Sequence, residues 1–151
     1  MGKVAGLLEN CRYIGIDTNC FIFQFDSDHY PQQAPLAQEL FELVQSGRIK
    51  AITSPITITE IMTLPRRLGL EDVAYQYKLL LMNFPNLEIQ DITAEVADRA
   101  AFLRGVYNLK TPDALQCAAA LVAGADALVT FDRGMSRVQP ALQVIVLDVD
   151  P

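Results

Sequence analysis

Cysteine is scarce in this sequence and is not arranged for cross-linking. The three cysteines, Cys11, Cys20 and Cys117, form an odd set that contains no CxxC pair. Disulfide-rich domains and zinc knuckles need cysteines in pairs at short spacing. The sequence therefore predicts neither a disulfide framework nor a structural zinc site, and it favours a reducing, cytoplasmic location.

Long apolar segments are also lacking. The longest run without a charged residue, 114–125, is too short to cross a bilayer. The apolar run 4–8 is too short for the central region of a secretory signal. We therefore expect a soluble protein that has no membrane segment.

Histidine is nearly absent, and so are the common catalytic and nucleotide-binding motifs. The only histidine, His29, lies in the polar segment 26–33. The sequence contains no recognisable serine or cysteine triad, no P-loop and no GxGxxG turn. Whatever chemistry the chain performs is expected to work without an imidazole base.

Basic residues are outnumbered by acidic ones. The chain has 12 Lys and Arg against 18 Asp and Glu, with a net charge of −6. A nucleic-acid-binding protein usually has a basic surface, so this balance argues at first against such a partner. A metal site built from several acids weakens that argument, because the bound cation neutralises part of their charge. The arginine clusters at 66–67 and at 133 and 137 fit a partner or an ordinary solvated surface.

What is present is the pattern of one ordinary globular domain, 1–151. The chain is 51% hydrophobic and 20% charged, without repeats or Gly/Ser linkers. Stretches of strand length alternate with amphipathic helical stretches. Such alternation implies crossover connections, and therefore an α/β fold with a mainly parallel sheet and a ligand site beyond the carboxyl ends of its strands.

Element boundaries follow from apolar spacing and from capping signals. Strands are predicted at 13–17, 50–53, 87–90, 127–130 and 143–147, and helices at 35–46, 55–67, 71–83, 94–107 and 112–123. Ser54, Thr93 and Thr111 are the predicted N-caps, since proline or a helical pattern follows each of them. Pro65 is expected to bend or end its helix.

Four acidic residues stand where a carboxylate needs an explanation. Asp17 interrupts the apolar stretch RYIGIDTNCFIF at the end of the first strand, and Asp132 follows the fourth strand. Asp113 opens a helix, and Glu60 lies between isoleucines. If they converge on one sheet edge they need cations, because like charges raise each other's pKa values. Hard oxygen ligands of this kind suit Mg²⁺ or Mn²⁺ rather than zinc.

Each acid also has an ordinary structural interpretation. Asp113 could simply complement a helix dipole, and Asp132 could close an Asx turn. Glu60 could face solvent from an amphipathic helix. Asp126 and Asp148 compete for the same role, because they also lie at strand ends. Asp17 is the hardest of the acids to explain without a site, since its flanks are apolar on both sides.

Four motifs occur in a recognisable order: IDTN at 16–19, ITEIM at 58–62, TPDALQ at 111–116 and GADALVTFDRGM at 124–135. Together they resemble the PIN-domain nucleases, in particular the VapC-type toxins of toxin–antitoxin pairs, over about 12–147. The resemblance implies a three-layer α/β/α fold with a central, mostly parallel sheet of about five strands. It also implies that Asp17, Glu60, Asp113 and Asp132 are acidic ligands of Mg²⁺ or Mn²⁺, supported by Asn19 and Thr130.

The same resemblance implies an activity and partners. These are metal-dependent endoribonuclease activity on RNA, inhibition by a cognate antitoxin, and a homodimer. Arg133, Arg137 and Lys110 are the candidate RNA-binding residues. An apolar groove for a partner helix could be lined by Ile61, Met62, Leu64 and Leu68, although core packing is the more ordinary role for these residues.

Two alternatives differ in class. The order Asp17, Thr53, Lys110, Asp132 loosely resembles haloacid-dehalogenase-like phosphatases, but Asn19 replaces the second aspartate that those enzymes use. A catalytically silent PIN-like binding module is the other alternative. One departure from the PIN pattern is Gly134-Met135, where the family often has Asp-Phe.

Overall fold

A five-stranded sheet forms the centre of the protein. The computed structural model describes residues 2–149. The strands are β1 Tyr13–Ile16, β2 Lys50–Thr53, β3 Leu87–Ile89, β4 Ala127–Thr130 and β5 Val144–Val146. They are ordered β3-β2-β1-β4-β5, and every neighbouring pair is parallel. The predicted parallel sheet is confirmed, and all five predicted strands are present.

Seven α-helices and two 3₁₀ helices connect the strands in the described part of the chain. The α-helices are α1 Lys3–Leu7, α2 Thr18–Phe25, α3 Ala34–Gln45, α4 Pro55–Arg67, α5 Glu71–Met82, α6 Ala94–Tyr107 and α7 Thr111–Ala123. The 3₁₀ helices are Ser27–His29 and Arg133–Val138. None of the helices in residues 2–149 has the length and apolar character needed to span a bilayer.

The sheet is buried on both faces, which explains its apolar strands. On one face, Ile14 and Ile16 of β1 pack with side chains of α1 to α5, including Phe21 and Phe41. On the other face, Leu128 of β4 packs with α6, α7 and the second 3₁₀ helix. These two hydrophobic clusters are the helical layers of the predicted three-layer α/β/α fold, which is confirmed.

The strand order places a switch point between β1 and β4. The chain builds β1, β2 and β3 outward in one direction, then returns to the other side of β1 for β4 and β5. Ile16 is in register with Val129, and the Asp17 N–H donates to the Val129 carbonyl at 3.0 Å. In open α/β sheets the crevice at such a point is where ligands bind.

Gly15 lets α7 lie close to β1. A Cβ at residue 15 would lie 2.7 Å from the Ala120 Cβ and 3.2 Å from Leu128 Cδ1, which is closer than side chains pack. The absent side chain therefore brings α7 against the sheet. The helix N-terminus, which carries Asp113, is held over the sheet by the same packing.

Two predicted helix caps are confirmed and one is wrong. The Ser54 Oγ accepts from the Ile56 N–H at 3.2 Å, and the Thr93 Oγ1 accepts from the Val96 N–H at 3.2 Å. Thr111 is not a cap: α7 already begins there, and Lys110 holds the extended cap position without a side-chain bond. Pro112 tolerates this shift because first-turn N–H groups have no intrahelical partner to lose. Pro65 does not end α4, which continues to Arg67.

Two of the α-helices were not predicted, and neither were the two 3₁₀ helices. The short helix α1 and the residue after it bring Val4 and Leu8 into the hydrophobic core, and the Ala5 N–H donates to Glu39 Oε2 at 2.8 Å. Helix α2 begins directly after Asp17, in a stretch whose dense hydrophobic residues hide a helical period. The segment before β1 therefore packs on α3, a role that its sequence did not suggest.

Candidate metal centre at the carboxyl edge of the sheet

Asp17 is the buried centre of the candidate site. Its side chain is the N-cap of α2, accepting from the Thr18 N–H at 2.9 Å, and the residue is 6% exposed. Burial raises the pKa of Asp17 to about 6 against the opposing hydrogen bonds from Thr130 and Thr18, and the Asp113 and Glu60 carboxylates add to the rise. The fold therefore holds an incompletely compensated acid at the switch point.

Thr130 and Asn19 form a hydrogen-bonded chain to the Asp17 carboxylate, while their supporting role at a metal site stays a prediction. The Thr130 hydroxyl donates to Asp17 Oδ2 at 2.8 Å and accepts from Asn19 Nδ2 at 3.1 Å. The Asn19 Oδ1 in turn accepts from the Phe131 N–H at 3.1 Å. These bonds tie the end of β4 to the start of α2, and together with the Thr18 N–H bond to Oδ1 they hold both oxygens of the Asp17 carboxylate.

Asp113 lies in the first turn of α7 and is half-buried. Burial raises its pKa, and the nearby Asp132 carboxylate raises it further, while Lys110 and Arg137 act in the opposite direction. Asp113 is thus electrostatically coupled to Asp17 on one side and to Asp132 on the other. The helix-dipole interpretation alone does not account for two acidic neighbours.

Glu60 and Asp132 are exposed acids, and the carboxylate of each accepts a hydrogen bond from the protein. Glu60 Oε1 accepts from the Thr18 hydroxyl at 2.8 Å, which joins α4 to α2 beside Asp17. Asp132 Oδ1 accepts from the Gly134 N–H at 2.8 Å and caps the second 3₁₀ helix. Asp132 therefore does close a local turn, while its backbone N–H donates to the Thr130 hydroxyl.

The two competing acids lie elsewhere or have other partners. Asp126 Oδ2 accepts from the Arg12 and Tyr13 N–H groups at 2.8 and 3.0 Å, at the amino edge of the sheet. Asp148 pairs with Arg133 at 2.6 Å. The pKa shifts of Asp17 and Asp113 have other causes, and neither Asp126 nor Asp148 is among them.

The four predicted acids are linked in pairs by their effects on each other's pKa values: Glu60 and Asp113 raise the pKa of Asp17, and Asp132 raises that of Asp113. We call these four residues the acidic row. Within residues 2–149 no three acidic, histidine or cysteine side chains are gathered closely enough to form a ready-made metal cage. The donor set consists of carboxylate oxygens, and Asp17 takes part in none of the ion pairs among the described residues. Oxygen donors and excess negative charge fit a hard divalent cation.

Gln116 holds the polar network beneath the site together through hydrogen bonds, a role that the sequence analysis missed. It is buried, its Nε2 donates to Thr18 Oγ1 at 3.0 Å and to Thr57 Oγ1 at 2.8 Å, and its Oε1 accepts from Ser54 Oγ at 2.5 Å. Since Thr18 accepts from Gln116, its own proton is directed to Glu60. A polar residue inside the apolar run 114–120 was the available signal.

Replacing Gln116 with leucine should lower the free energy of unfolding by about 2–3 kcal/mol, because three buried hydroxyls lose a partner. Urea unfolding measures the change. Gln38→Leu is the matched control, since Gln38 is exposed on α3 and should change stability by less than about 0.5 kcal/mol. Equal stability of the two variants would show that the buried network contributes nothing.

The predicted basic residues divide into two groups. Lys110 and Arg137 line a pocket that also contains Asp113 and Asp132. Arg133 instead directs its Nη2 to both carboxylate oxygens of Asp148, at 2.6 and 2.7 Å. The RNA-binding role of all three stays a prediction, but the geometry favours Lys110 and Arg137.

The sheet order, the acidic carboxyl edge and the polar network under it are the features of one class of protein. A model of the PIN domain family matches residues 14–139, so the chain belongs to that family. The predicted resemblance to PIN domains is confirmed, and the match favours it over the phosphatase alternative. No curated protein matches the chain at a significant level.

Two solved structures share the fold. One is VapBC2 from Rickettsia felis bound to a DNA fragment from their promoter, with 18% identity and a TM-score of 0.70 over 90% of this chain and 99% of that chain. The other is a toxin–antitoxin complex from Klebsiella pneumoniae, with 24% identity and a TM-score of 0.64 over 88% of this chain and 96% of that chain. At these identities the likeness shows the fold.

Proposed function

We propose that the chain is a Mg²⁺- or Mn²⁺-dependent endoribonuclease. The observation that carries the proposal is the buried Asp17 carboxylate at the switch point, coupled to Asp113 and Glu60 without a cationic partner among the ion pairs of residues 2–149. A carboxylate in such a place costs free energy unless a cation neutralises it. Family membership supports the assignment of the site to nucleic-acid cleavage.

Asp17 and Asp113 would hold the metal directly, with Glu60 and Asp132 bound to it directly or through water. When bound, such a cation lowers the pKa of a water molecule and stabilises charge on the scissile phosphate and leaving oxygen. The chain itself orients Asp17 through Thr130 and Thr18. Thr18 fixes Glu60 in the same way, so the protein supplies a largely preset row of acids.

Cleavage of a mixed pool of labelled single-stranded and structured RNAs by purified protein tests this function. We expect cutting with Mg²⁺ or Mn²⁺ and none with EDTA. Cleavage that persists in EDTA would contradict the metal role. RNA binding without cutting with either cation would support the silent binding module in place of the nuclease.

We further propose that the protein is the toxin of a toxin–antitoxin pair. Of the two solved structures named above, one is a toxin–antitoxin complex and the other a VapBC2 assembly, which supports an antitoxin partner for this chain. A homodimer and a cytoplasmic location belong to the same proposal. RNA is the proposed substrate, and the antitoxin the proposed inhibitor.

An apolar groove beside the acids fits the antitoxin. The groove has a volume of about 530 Å³ and lies between α2, α4 and α5. Of the predicted lining, Leu64 and Leu68 are 51% and 62% exposed in it, whereas Met62 is a core residue outside it. Asp26 and Glu60 line the same groove, so an apolar segment with a basic side chain would complement it.

Leu64→Glu should abolish retention of the antitoxin, because it places an uncompensated charge in the apolar groove. Tagged protein purified from its native cells gives the measurement, with Phe102→Glu as the control on α6, where Phe102 is 59% exposed. We expect wild type and the control to retain a small partner that Leu64→Glu loses, and all three proteins to cut RNA equally once the partner has been removed. Free protein in every preparation would contradict the toxin role and leave the nuclease role intact.

A further inference from the structure

A second concave surface lies beside the acidic row, between the α6–α7 turn and the second 3₁₀ helix. Its volume is about 490 Å³, and its lining includes three cations, Arg104, Lys110 and Arg137. Asp113 and Asp132 also line it. We call this surface the basic pocket. Arg104 was not among the sequence-predicted binding residues, because its position on α6 resembles an ordinary helix-end charge.

Both arginines of the basic pocket are fixed by backbone carbonyls. Arg104 Nε donates to the Leu109 carbonyl at 3.1 Å. Arg137 Nε donates to the Gly134 carbonyl at 3.0 Å, and its Nη1 donates to the Asn108 carbonyl at 3.2 Å. Guanidinium groups held in this way keep further N–H donors for a ligand at little cost in side-chain entropy. The turn between α6 and α7 therefore accepts hydrogen bonds from two elements, from Arg104 of α6 and from Arg137 of the second 3₁₀ helix.

Gly134 leaves open the space between the Asp132 carboxylate and the Arg137 guanidinium. A Cβ at Gly134 would lie 3.1 Å from Asp132 Oδ1 and 3.7 Å from Arg137 Nη2. The carboxylate and the guanidinium therefore flank the same small volume. A side chain at residue 134 would enter it, so glycine leaves room for a ligand next to Asp132.

We propose that the basic pocket binds a backbone phosphate of the RNA strand next to the phosphate that is cut, through Arg104, Lys110 and Arg137. The inference rests on the proposed nuclease function. Fixed guanidinium donors and a lysine are the groups that recognise phosphate oxygens. Because Asp113 and Asp132 line the same pocket, a phosphate bound there would lie next to the acidic row, as the neighbouring phosphate of a cleaved strand would.

The mixed charge of the basic pocket makes binding depend on a divalent cation. Asp113 and Asp132 would repel a phosphate, and they cancel two of the three positive charges that line the pocket. A divalent cation held by the acidic row would neutralise these two carboxylates and leave the pocket more strongly positive. The pocket thus explains how an acidic chain of net charge −6 can recruit RNA.

Binding of a fluorescent single-stranded RNA of mixed sequence tests the pocket. Ca²⁺ is used as the oxygen-binding cation, and anisotropy is followed over a range of salt concentrations. Arg104→Gln should weaken binding about tenfold, because one charge-assisted contact is lost. It should also reduce the slope of log K against log salt by about 0.7. With Mg²⁺, KM should rise and kcat should stay unchanged, and Arg104→Lys should restore part of the affinity.

Two further variants separate a binding role from a structural one. Lys110→Gln removes charge from the pocket at a side chain without a hydrogen bond in residues 2–149, and it should weaken binding similarly. Arg99→Gln is the matched control on α6, exposed and outside the pocket. The proposal is overturned if Arg99→Gln weakens binding as much as the pocket variants, or if neither pocket variant changes the affinity or the salt slope. Failure of the wild-type protein to bind or cut RNA would instead overturn the proposed function.

Discussion

Asp17→Asn should abolish metal-dependent RNA cleavage, with a loss on the order of 10³-fold or more. The substitution keeps the size of the side chain and its capacity to accept from the Thr18 N–H. It removes the negative charge at the point where Asp113 and Glu60 act on the same group. Asp113→Asn should have a similar effect, because Asp113 is the half-buried acid next to it in the row.

Asp98→Asn is the control for both variants, because Asp98 is an exposed acid on α6 and the change in net charge is the same. Rates are measured as initial cleavage of labelled RNA at saturating Mg²⁺. We expect the control to match the wild-type rate within a factor of about two, since surface substitutions rarely matter. Equal cleavage by all four proteins would show that the activity does not come from the acidic row.

The same Asp17→Asn variant should be more stable than wild type in EDTA. Burial raises the pKa of Asp17 from 3.8 to about 6, so ionised Asp17 destabilises the folded protein at neutral pH. Removing that charge should raise the free energy of unfolding by about 2–3 kcal/mol at pH 7. Activity and stability are then expected to change in opposite directions, as in a site built for a cation.

The pH dependence has a defined sign. Since the folded-state pKa of Asp17 lies above its unfolded value, wild type gains stability as pH falls from about 6 towards 3.8. The stability difference from Asp17→Asn should therefore shrink over that range in urea unfolding with EDTA. A difference that stays constant with pH would show that the Asp17 charge is not the cause.

Asp126→Asn should change the free energy of unfolding in the opposite direction to Asp17→Asn. Hydrogen bonds from the Arg12 and Tyr13 N–H groups lower the pKa of Asp126, so its ionised form stabilises the folded protein. That variant should lose stability at neutral pH, and its deficit should shrink as pH falls from the unfolded pKa through the lower folded-state pKa. The two aspartates thus separate a carboxylate used for structure from one held for a ligand.

Much of the fold follows from local patterns. The apolar strands at 50–53 and 127–130 match the observed β2 and β4, because buried parallel strands are continuous apolar runs. Ser54 and Thr93 are confirmed caps, since a cap depends on neighbours two or three residues away. Helix α2 was missed because its hydrophobic residues face the core on several sides and show no clear period.

The site was less predictable because its contacts are long-range. The strand-end rule placed Asp17 and Asp132 at the carboxyl ends of β1 and β4, where the structure has them, but nothing local shows that Gln116 reaches Thr18, 98 residues away in the sequence. In the same way, Arg133 looks like Arg137 in sequence, yet only the fold brings it to Asp148. Spacing predicts which residues share an edge, whereas hydrogen-bond partners depend on how the layers pack.

Anomalous diffraction from a crystal of the protein grown with Mn²⁺ is the most direct measurement of the proposed metal centre. We expect an anomalous peak in contact with carboxylate oxygens of Asp17 and Asp113, with Glu60 and Asp132 bound directly or through water. A crystal of the Asp17→Asn variant grown under the same conditions should lack the anomalous peak. A fully occupied Mn²⁺ peak elsewhere, with Asp17 and Asp113 uncoordinated, would contradict the metal-dependent mechanism.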